Sequence, residues 1–102
     1  MIDLAQLRSL FAGKHYLLTA HASNRAAVRD ILSDEIEFAI ANGQVIEDYP
    51  NDKYESSCLI LGHTQSGRLL HIQVSYPPMV KVVTIYEPSP AEWESDFKTR
   101  KK

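Results

Sequence analysis

The spacing of apolar residues changes once along this chain of 102 residues, at Gly43. Before Gly43, apolar residues recur every three or four positions, which is the spacing of helices packed against a core. After Gly43, stretches rich in Val, Ile, Leu and Tyr alternate or run on continuously, which is typical of strands. The change predicts an α+β domain in which N-terminal helices pack on one face of an antiparallel sheet.

Three helices are predicted before this change, over residues 3–12, 21–30 and 34–42. Ser33 suits the N-cap of the third helix, and the pair Asn42-Gly43 is a typical helix stop. Residues 15–19, HYLLT, are either a short strand or an extended entry into the second helix, since their bulky side chains are too few to decide.

Four strands are predicted after the change, with the sequences QVIEDY, CLILGHT, RLLHIQVSY and MVKVVTIYEP. The short connection QSG and the break YPP favour an antiparallel meander in which consecutive strands pair. Pro90 then predicts the start of a last helix over 90–100, whose Trp93 and Phe97 would hold it against the body. The expected fold is a single domain, 1–102, with a four-stranded meander and a C-terminal helix.

The composition is that of an ordinary folded protein, with 44% hydrophobic and 24% charged residues. No apolar run approaches the roughly 18 residues of a membrane-spanning helix, and the first residues lack the pattern of a secretion signal. We therefore expect a cytoplasmic protein without a membrane partner.

Cys58 has no second cysteine to pair with and is expected to be a buried, inert thiol. The four histidines show no ligand spacing, so no metal and no cofactor are predicted.

Charge is distributed unevenly around the net value of −2. Residues 33–56 carry seven acids against one lysine, whereas residues 1–32 and 57–86 each carry a net charge of +2. The overall balance gives no support to a large nucleic-acid footprint, although a local basic site remains compatible with it.

The second predicted helix carries His21, Arg25 and Arg29 at successive four-residue steps, so the three side chains lie along one side. Like charges at this spacing repel, so a nearby negative charge is needed to offset the repulsion between the two arginines. One interpretation is internal ion pairing with acids of residues 33–56. The other is that the two guanidinium groups hold a phosphate, with His21 as a proton-transfer group.

A second group of candidates lies on the predicted third and fourth strands. Arg68 opens the third strand, and His71 lies on its mixed face, where it could form a polar patch with Gln73, Thr84 and Tyr86 of the paired strands. The alternative is structural: His71 is then a hydrogen-bonded histidine under a covering element, and Tyr86 is a packed aromatic residue.

The order of short motifs resembles a bacterial family known as domain of unknown function 4258. The motifs are T-x-H-A, the two arginines of the second helix, N-G-x-V-I-E-x-Y-P, S-C-L-I-L-G, G-R-x-L-H and T-x-Y-x-P. Together with the terminal tryptophan they extend over about residues 11–100. The family also looks similar, at one remove, to RelE-like and BrnT-like toxins, many of which are metal-independent ribonucleases.

The resemblance implies a RelE-like toxin fold and an RNA-cleaving activity kept in check by an antitoxin protein. The catalytic candidates are then His21, His71 and Tyr86, and the phosphate-binding candidates are Arg25, Arg29 and Arg68. Because fold does not determine function, a non-catalytic protein-interaction module is the alternative, with the acidic stretch 47–55 as its contact surface. A small-ligand or nucleotide-binding domain is a third possibility, and the oligomeric state stays open.

Overall fold

The computed structural model describes residues 2–53 and 55–102. Three helices come first, with a two-residue strand between the first two, and four longer strands follow. In chain order the elements are α1 Leu4–Ala12, β1 Leu17–Leu18, α2 Ala20–Val28, α3 Ser33–Asn42, β2 Gln44–Tyr49, β3 Ser57–His63, β4 Leu69–Ser75 and β5 Lys81–Tyr86.

The sheet has five strands in the order β1-β5-β4-β3-β2, and the pair β1–β5 is parallel. The predicted four-stranded antiparallel meander is therefore wrong, although its four strands exist and pair in the expected sequence. The fifth strand comes from HYLLT. The Leu17 N–H group donates to the carbonyl of Val80, just before β5, and the Thr19 N–H group donates to the carbonyl of Val82 in β5. Two residues have too little pattern to reveal such a long-range pairing from sequence.

The predicted C-terminal helix over 90–100 is also wrong. This segment folds back on itself, with Trp93 and Arg100 paired across an antiparallel bridge. The Asp96 carboxylate accepts hydrogen bonds from the backbone N–H groups of Lys98 and Thr99, which stabilises the turn. An aspartate that binds the backbone in this way favours a turn over a helix interior. The predicted RelE-like fold, with a four-stranded meander and a C-terminal helix, is therefore wrong.

The helices cover one face of the sheet and enclose the hydrophobic core. Leu7 and Phe11 of α1 are fully buried, as are Ile36 and Ile40 of α3. The sheet contributes the alternate residues of its long strands, which are Cys58, Ile60, Leu70, Ile72, Val74, Val82 and Ile85. Cys58 is buried as predicted, and burial raises the pKa of its thiol to about 12. The opposite face of the sheet is therefore free to carry polar residues.

The helix ends differ slightly from the predicted ones. Thr19 caps α2 by accepting a hydrogen bond from the Ala22 N–H group. The third helix begins at Ser33 itself, and the Leu32 N–H group donates to the Glu35 carboxylate. The longest described helix has 10 residues, and no helix in the described part of the chain is long and apolar enough to cross a membrane.

Helix α3 crosses β3 at very short distance, and Gly62 makes this possible. A Cβ atom on Gly62 would lie 2.1 Å from the Ala39 carbonyl oxygen, which is backbone and cannot move aside. We expect Gly62→Ala to lower the free energy of unfolding by about 1–3 kcal/mol, the usual cost of overpacking. Chemical denaturation measures the change.

Gly13→Ala is the matched control, because its new Cβ would meet chiefly the side chain of the exposed His15, which can turn away. Equal stability losses in the two variants would contradict a special role for the α3–β3 contact.

Candidate functional site

Helix α2 presents its charged side to solvent. Ala22 and Ala26 face the core, whereas His21, Arg25 and the C-cap residue Arg29 are exposed. The small inward side chains let the helix approach the sheet closely, and it packs mainly along β5. The predicted row of one imidazole and two guanidinium groups therefore lies on the molecular surface.

The two arginines of this row are not neutralised from within. In residues 2–53 and 55–102, the guanidinium groups of Arg25 and Arg29 form no ion pair and no hydrogen bond. Three acids of residues 33–56 bind other cations instead, in the pairs Glu37–Lys14, Glu47–Arg100 and Glu55–Lys81. Of the two interpretations of the row, internal compensation by this acidic segment is thus not observed for either arginine.

His21 connects the first turn of α2 to the last strand. Its Nε2 atom lies 3.0 Å from the Thr84 hydroxyl oxygen, and the side chain is exposed. Its other ring nitrogen, Nδ1, has no hydrogen-bond partner among the described residues. One nitrogen is therefore held in position while the other is available to a ligand.

A cleft of about 220 Å³ opens beside this pair. Its lining includes Thr19, two residues before His21, and Val83, which directly precedes Thr84. Asp52, Glu55 and the buried Ser57 complete the lining. The cleft has polar and apolar walls, and two of its lining side chains, Asp52 and Glu55, are carboxylates.

His71 has the opposite environment, because it is fully buried on the other face of the sheet from the helices. Its Nε2 atom lies 2.8 Å from the Phe97 carbonyl oxygen, which can only accept a hydrogen bond, so Nε2 carries the proton. Nδ1 lies 3.1 Å from the Tyr86 hydroxyl oxygen. In the neutral ring Nδ1 accepts, and the Tyr86 hydroxyl donates.

Burial is the main cause that lowers the pKa of His71 below 6.5, and the nearby Arg100 charge acts in the same direction. The hydrogen bond to Phe97 and the Glu47 carboxylate oppose this lowering. The net result favours the neutral imidazole. His71 and Tyr86 are adjacent, as the predicted polar patch requires, but they are shielded from solvent in this conformation.

A cluster from distant parts of the chain surrounds His71. The Trp93 ring packs edge-on against the imidazole with centroids 4.4 Å apart. Arg100 donates two hydrogen bonds to Glu47, at 2.9 and 3.0 Å, and lies 4.7 Å over the Trp93 ring. The Tyr49 hydroxyl donates to the same carboxylate. Sequence reasoning missed Glu47, Trp93 and Arg100 as neighbours, since no periodic signal links residues 53 positions apart.

Arg68 is engaged in holding elements together. Its guanidinium group donates to the backbone carbonyls of Arg29 at 2.7 Å and Asp30 at 3.1 Å, and it pairs with Glu87 at 3.1 Å. These contacts satisfy carbonyl groups just after the end of α2. A phosphate-binding role for Arg68 stays a prediction and would compete with these contacts.

The strand register brings two of the six candidates together. His71 pairs with Tyr86, and Gln73 pairs with Thr84, as predicted for neighbours on paired strands. Thr84 and Tyr86 are two residues apart on β5. Their side chains therefore lie on the same face of the sheet, with their Cα atoms about 7 Å apart. His21 contacts this strand at Thr84 and is exposed, whereas His71 contacts it at Tyr86 and is buried.

The buried neutral His71 makes stability depend on pH. Its pKa is lower in the folded than in the unfolded state, so the unfolded state takes up the proton first as the pH falls below 6.5. We expect the free energy of unfolding to be lower at about pH 5.5 than at about pH 7.5, and the difference to shrink in His71→Gln. Urea denaturation at both pH values measures it, and an unchanged difference in the variant would contradict this account of the imidazole.

Comparison with known proteins gives a family but no closer relative. Residues 18–87 match the family model described as Domain of unknown function (DUF4258). No curated protein and no solved structure matches the chain, so similarity to RelE-like or BrnT-like toxins stays a prediction. The matched range contains the α2 row, Arg68, His71 and Tyr86 and more than half of the chain. The protein belongs to the DUF4258 family.

Proposed function

We propose that this protein is a metal-independent endoribonuclease of the toxin–antitoxin type, with its RNA-binding surface on α2. The observation that supports the proposal is the pair of exposed guanidinium groups, Arg25 and Arg29, that no carboxylate of the described chain neutralises. Two uncompensated cations one helical turn apart cost free energy by themselves. An anionic ligand removes that cost.

A phosphodiester is the anion that best suits this arrangement. Guanidinium groups are permanently charged and present parallel N–H donors that match phosphate oxygens. The exposed His21 stands one turn before Arg25, where a base can act on the bound group.

The proposed reaction needs no metal ion. The ribose 2′-oxygen attacks the adjacent phosphorus while His21 accepts the 2′-hydroxyl proton, and the bond from phosphorus to the 5′-oxygen breaks. The leaving 5′-oxygen takes a proton from solvent or from an acid of the site, which leaves a 2′,3′-cyclic phosphate and a 5′-hydroxyl end. Arg25 and Arg29 stabilise the additional negative charge that develops on the phosphoryl oxygens.

The resemblance to RelE-like and BrnT-like toxins supports this proposal by analogy alone, because one fold serves many functions. The same analogy suggests an antitoxin as the protein partner. The support for the proposal that comes from this chain itself is the exposed pair of arginines on α2.

Binding can be tested apart from cleavage with an RNA oligonucleotide whose 2′-hydroxyl groups are methylated. We expect Arg25→Ala and Arg29→Ala each to weaken binding and to reduce the salt dependence, log K against log[salt], by about 0.7, the value for one phosphate contact on a single strand. Fluorescence anisotropy at several salt concentrations measures both quantities.

Lys14→Ala is the matched control, since Lys14 loses the same charge but is already paired with Glu37 at 2.9 Å. If Lys14→Ala weakens binding as much as the arginine variants do, the effect is one of net charge and the α2 site is wrong.

Cleavage is tested with unmodified RNA in the presence of a chelator. We expect His21→Ala to slow cleavage about 10²–10⁴-fold, the usual contribution of a general base, with little change in affinity for the methylated RNA. Gel analysis of the products, including a test for the cyclic phosphate end, follows the reaction. Absence of cleavage by the wild-type protein, or equal rates in wild type and variant, would contradict the proposed reaction.

A second candidate function, non-catalytic protein interaction, is favoured by a separate surface. Val28 and Leu32 are 77% and 63% exposed, and a cleft of about 410 Å³ follows at the start of α3, lined by Asp34, Glu35, Phe38, Gln65 and Ser66. A partner with apolar and basic side chains would suit this surface. The acidic stretch 47–55 is a weaker candidate, because its acids Glu47 and Glu55 are paired internally.

A further inference from the structure

Residues 92–101, here called the C-terminal cover, form a small hairpin over the buried imidazole. Within it, Glu94 N–H donates to the Thr99 carbonyl at 2.8 Å and Lys101 N–H donates to the Glu92 carbonyl at 2.9 Å. Its backbone hydrogen bonds are thus largely its own, and the Asp96 turn closes it. Such a hairpin can leave the sheet without breaking any strand pairing.

Three contacts hold the cover on the sheet. Trp93, only 3% exposed, packs against His71, and Arg100 pairs with Glu47. The Phe97 carbonyl accepts a hydrogen bond from the His71 N–H group. Phe97 itself has φ = +56°, a backbone conformation that is unfavourable for any residue other than glycine. The hydrogen bond that closes the imidazole is therefore made by a residue in an unfavourable conformation.

The cover also lies outside the part of the chain that matches the family. The match ends at residue 87, after the last strand, whereas His71 and Tyr86 lie inside it. The strands that carry His71 and Tyr86 thus end before the segment that covers them begins. A unit that shields polar groups without contributing to the sheet is suited to control access to them.

The end of the cover is strongly basic. Four of the last five residues are cations, namely Lys98, Arg100, Lys101 and Lys102, and all four are exposed. Of these, Arg100 also makes the ion pair that holds the cover on the sheet. Its side chain is 60% exposed, so a phosphate oxygen can reach the guanidinium group and compete with the Glu47 carboxylate.

We propose that the C-terminal cover closes the His71–Tyr86 half of the site, and that a phosphate polymer lifts it by drawing Arg100 away from Glu47. The inference rests on the proposed function, because it makes the substrate the signal for opening. Once open, His71 would offer a second imidazole, so that one could accept the 2′-hydroxyl proton and the other protonate the leaving oxygen. The cover would then restrain the activity until RNA is bound.

The test measures how fast diethyl pyrocarbonate modifies each histidine in the full chain, by mass spectrometry of the peptides. The reagent needs an accessible imidazole nitrogen, so His71 should react slowly in the wild-type protein. We expect Arg100→Glu to speed the modification of His71 about fivefold or more, the effect of losing one good charge pair. The double variant Glu47→Arg with Arg100→Glu should return it to the wild-type rate.

Lys98→Glu is the control for charge, because it makes the same reversal in the cover without touching Glu47. The exposed His15 and His63 are internal references whose rates should stay constant. A single-stranded DNA oligonucleotide serves as the opening ligand, since it has the phosphates of RNA but no 2′-hydroxyl groups. It should speed the modification of His71 in the wild-type protein by a similar factor.

An unchanged His71 rate in folded Arg100→Glu, or a rate that the oligonucleotide leaves unchanged or lowers, overturns the proposal. If Arg100→Glu folds poorly, Trp93→Phe is the second variant, because it weakens the packing of the cover on His71 more mildly. It should also raise the modification rate of His71. Failure of the proposed function is distinguishable: the His71 rate would then respond as expected while RNA stays intact in every variant.

Discussion

The pairing of β4 with β5 is the constraint on which both the core and the candidate site depend. In this register Ile72 lies opposite Ile85 and His71 lies opposite Tyr86. Because side chains alternate across a strand, the first pair enters the core under the helices while the second goes to the other face. A shift of one residue would exchange them. Burial of the apolar pair thus determines where the polar pair can be.

The acidic segment of the chain is neutralised by cations distant in sequence rather than by the arginines near it. Glu37, Glu47 and Glu55 bind Lys14, Arg100 and Lys81. These pairs are partly exposed, so each contributes little stability. Within the described residues they leave Arg25 and Arg29 without an acidic partner, and the Arg100–Glu47 pair joins the C-terminal cover to β2.

Much of the helical layer was predictable because its pattern is local. The apolar spacing of α1 and α3, the stop at Gly43 and the four long strands each follow from residues close together in sequence. The terminal segment shows the limit of such patterns. Trp93 and Phe97 stand four residues apart, which suits a helix, but Asp96 binds the backbone and forms a turn, and Trp93 is buried through contact with His71.

The sequence alone determined which residues are candidates: the row on α2, Arg68, and the pair His71 and Tyr86. It did so because helical and strand periodicity assign side chains to faces. Only the tertiary structure decided which of them meet solvent. His21 is open, His71 is covered, and Arg68 binds backbone carbonyls. These outcomes depend on contacts between residues as far apart as 63 positions. Local spacing carries no information about such contacts, since they form only when the sheet and the cover pack together.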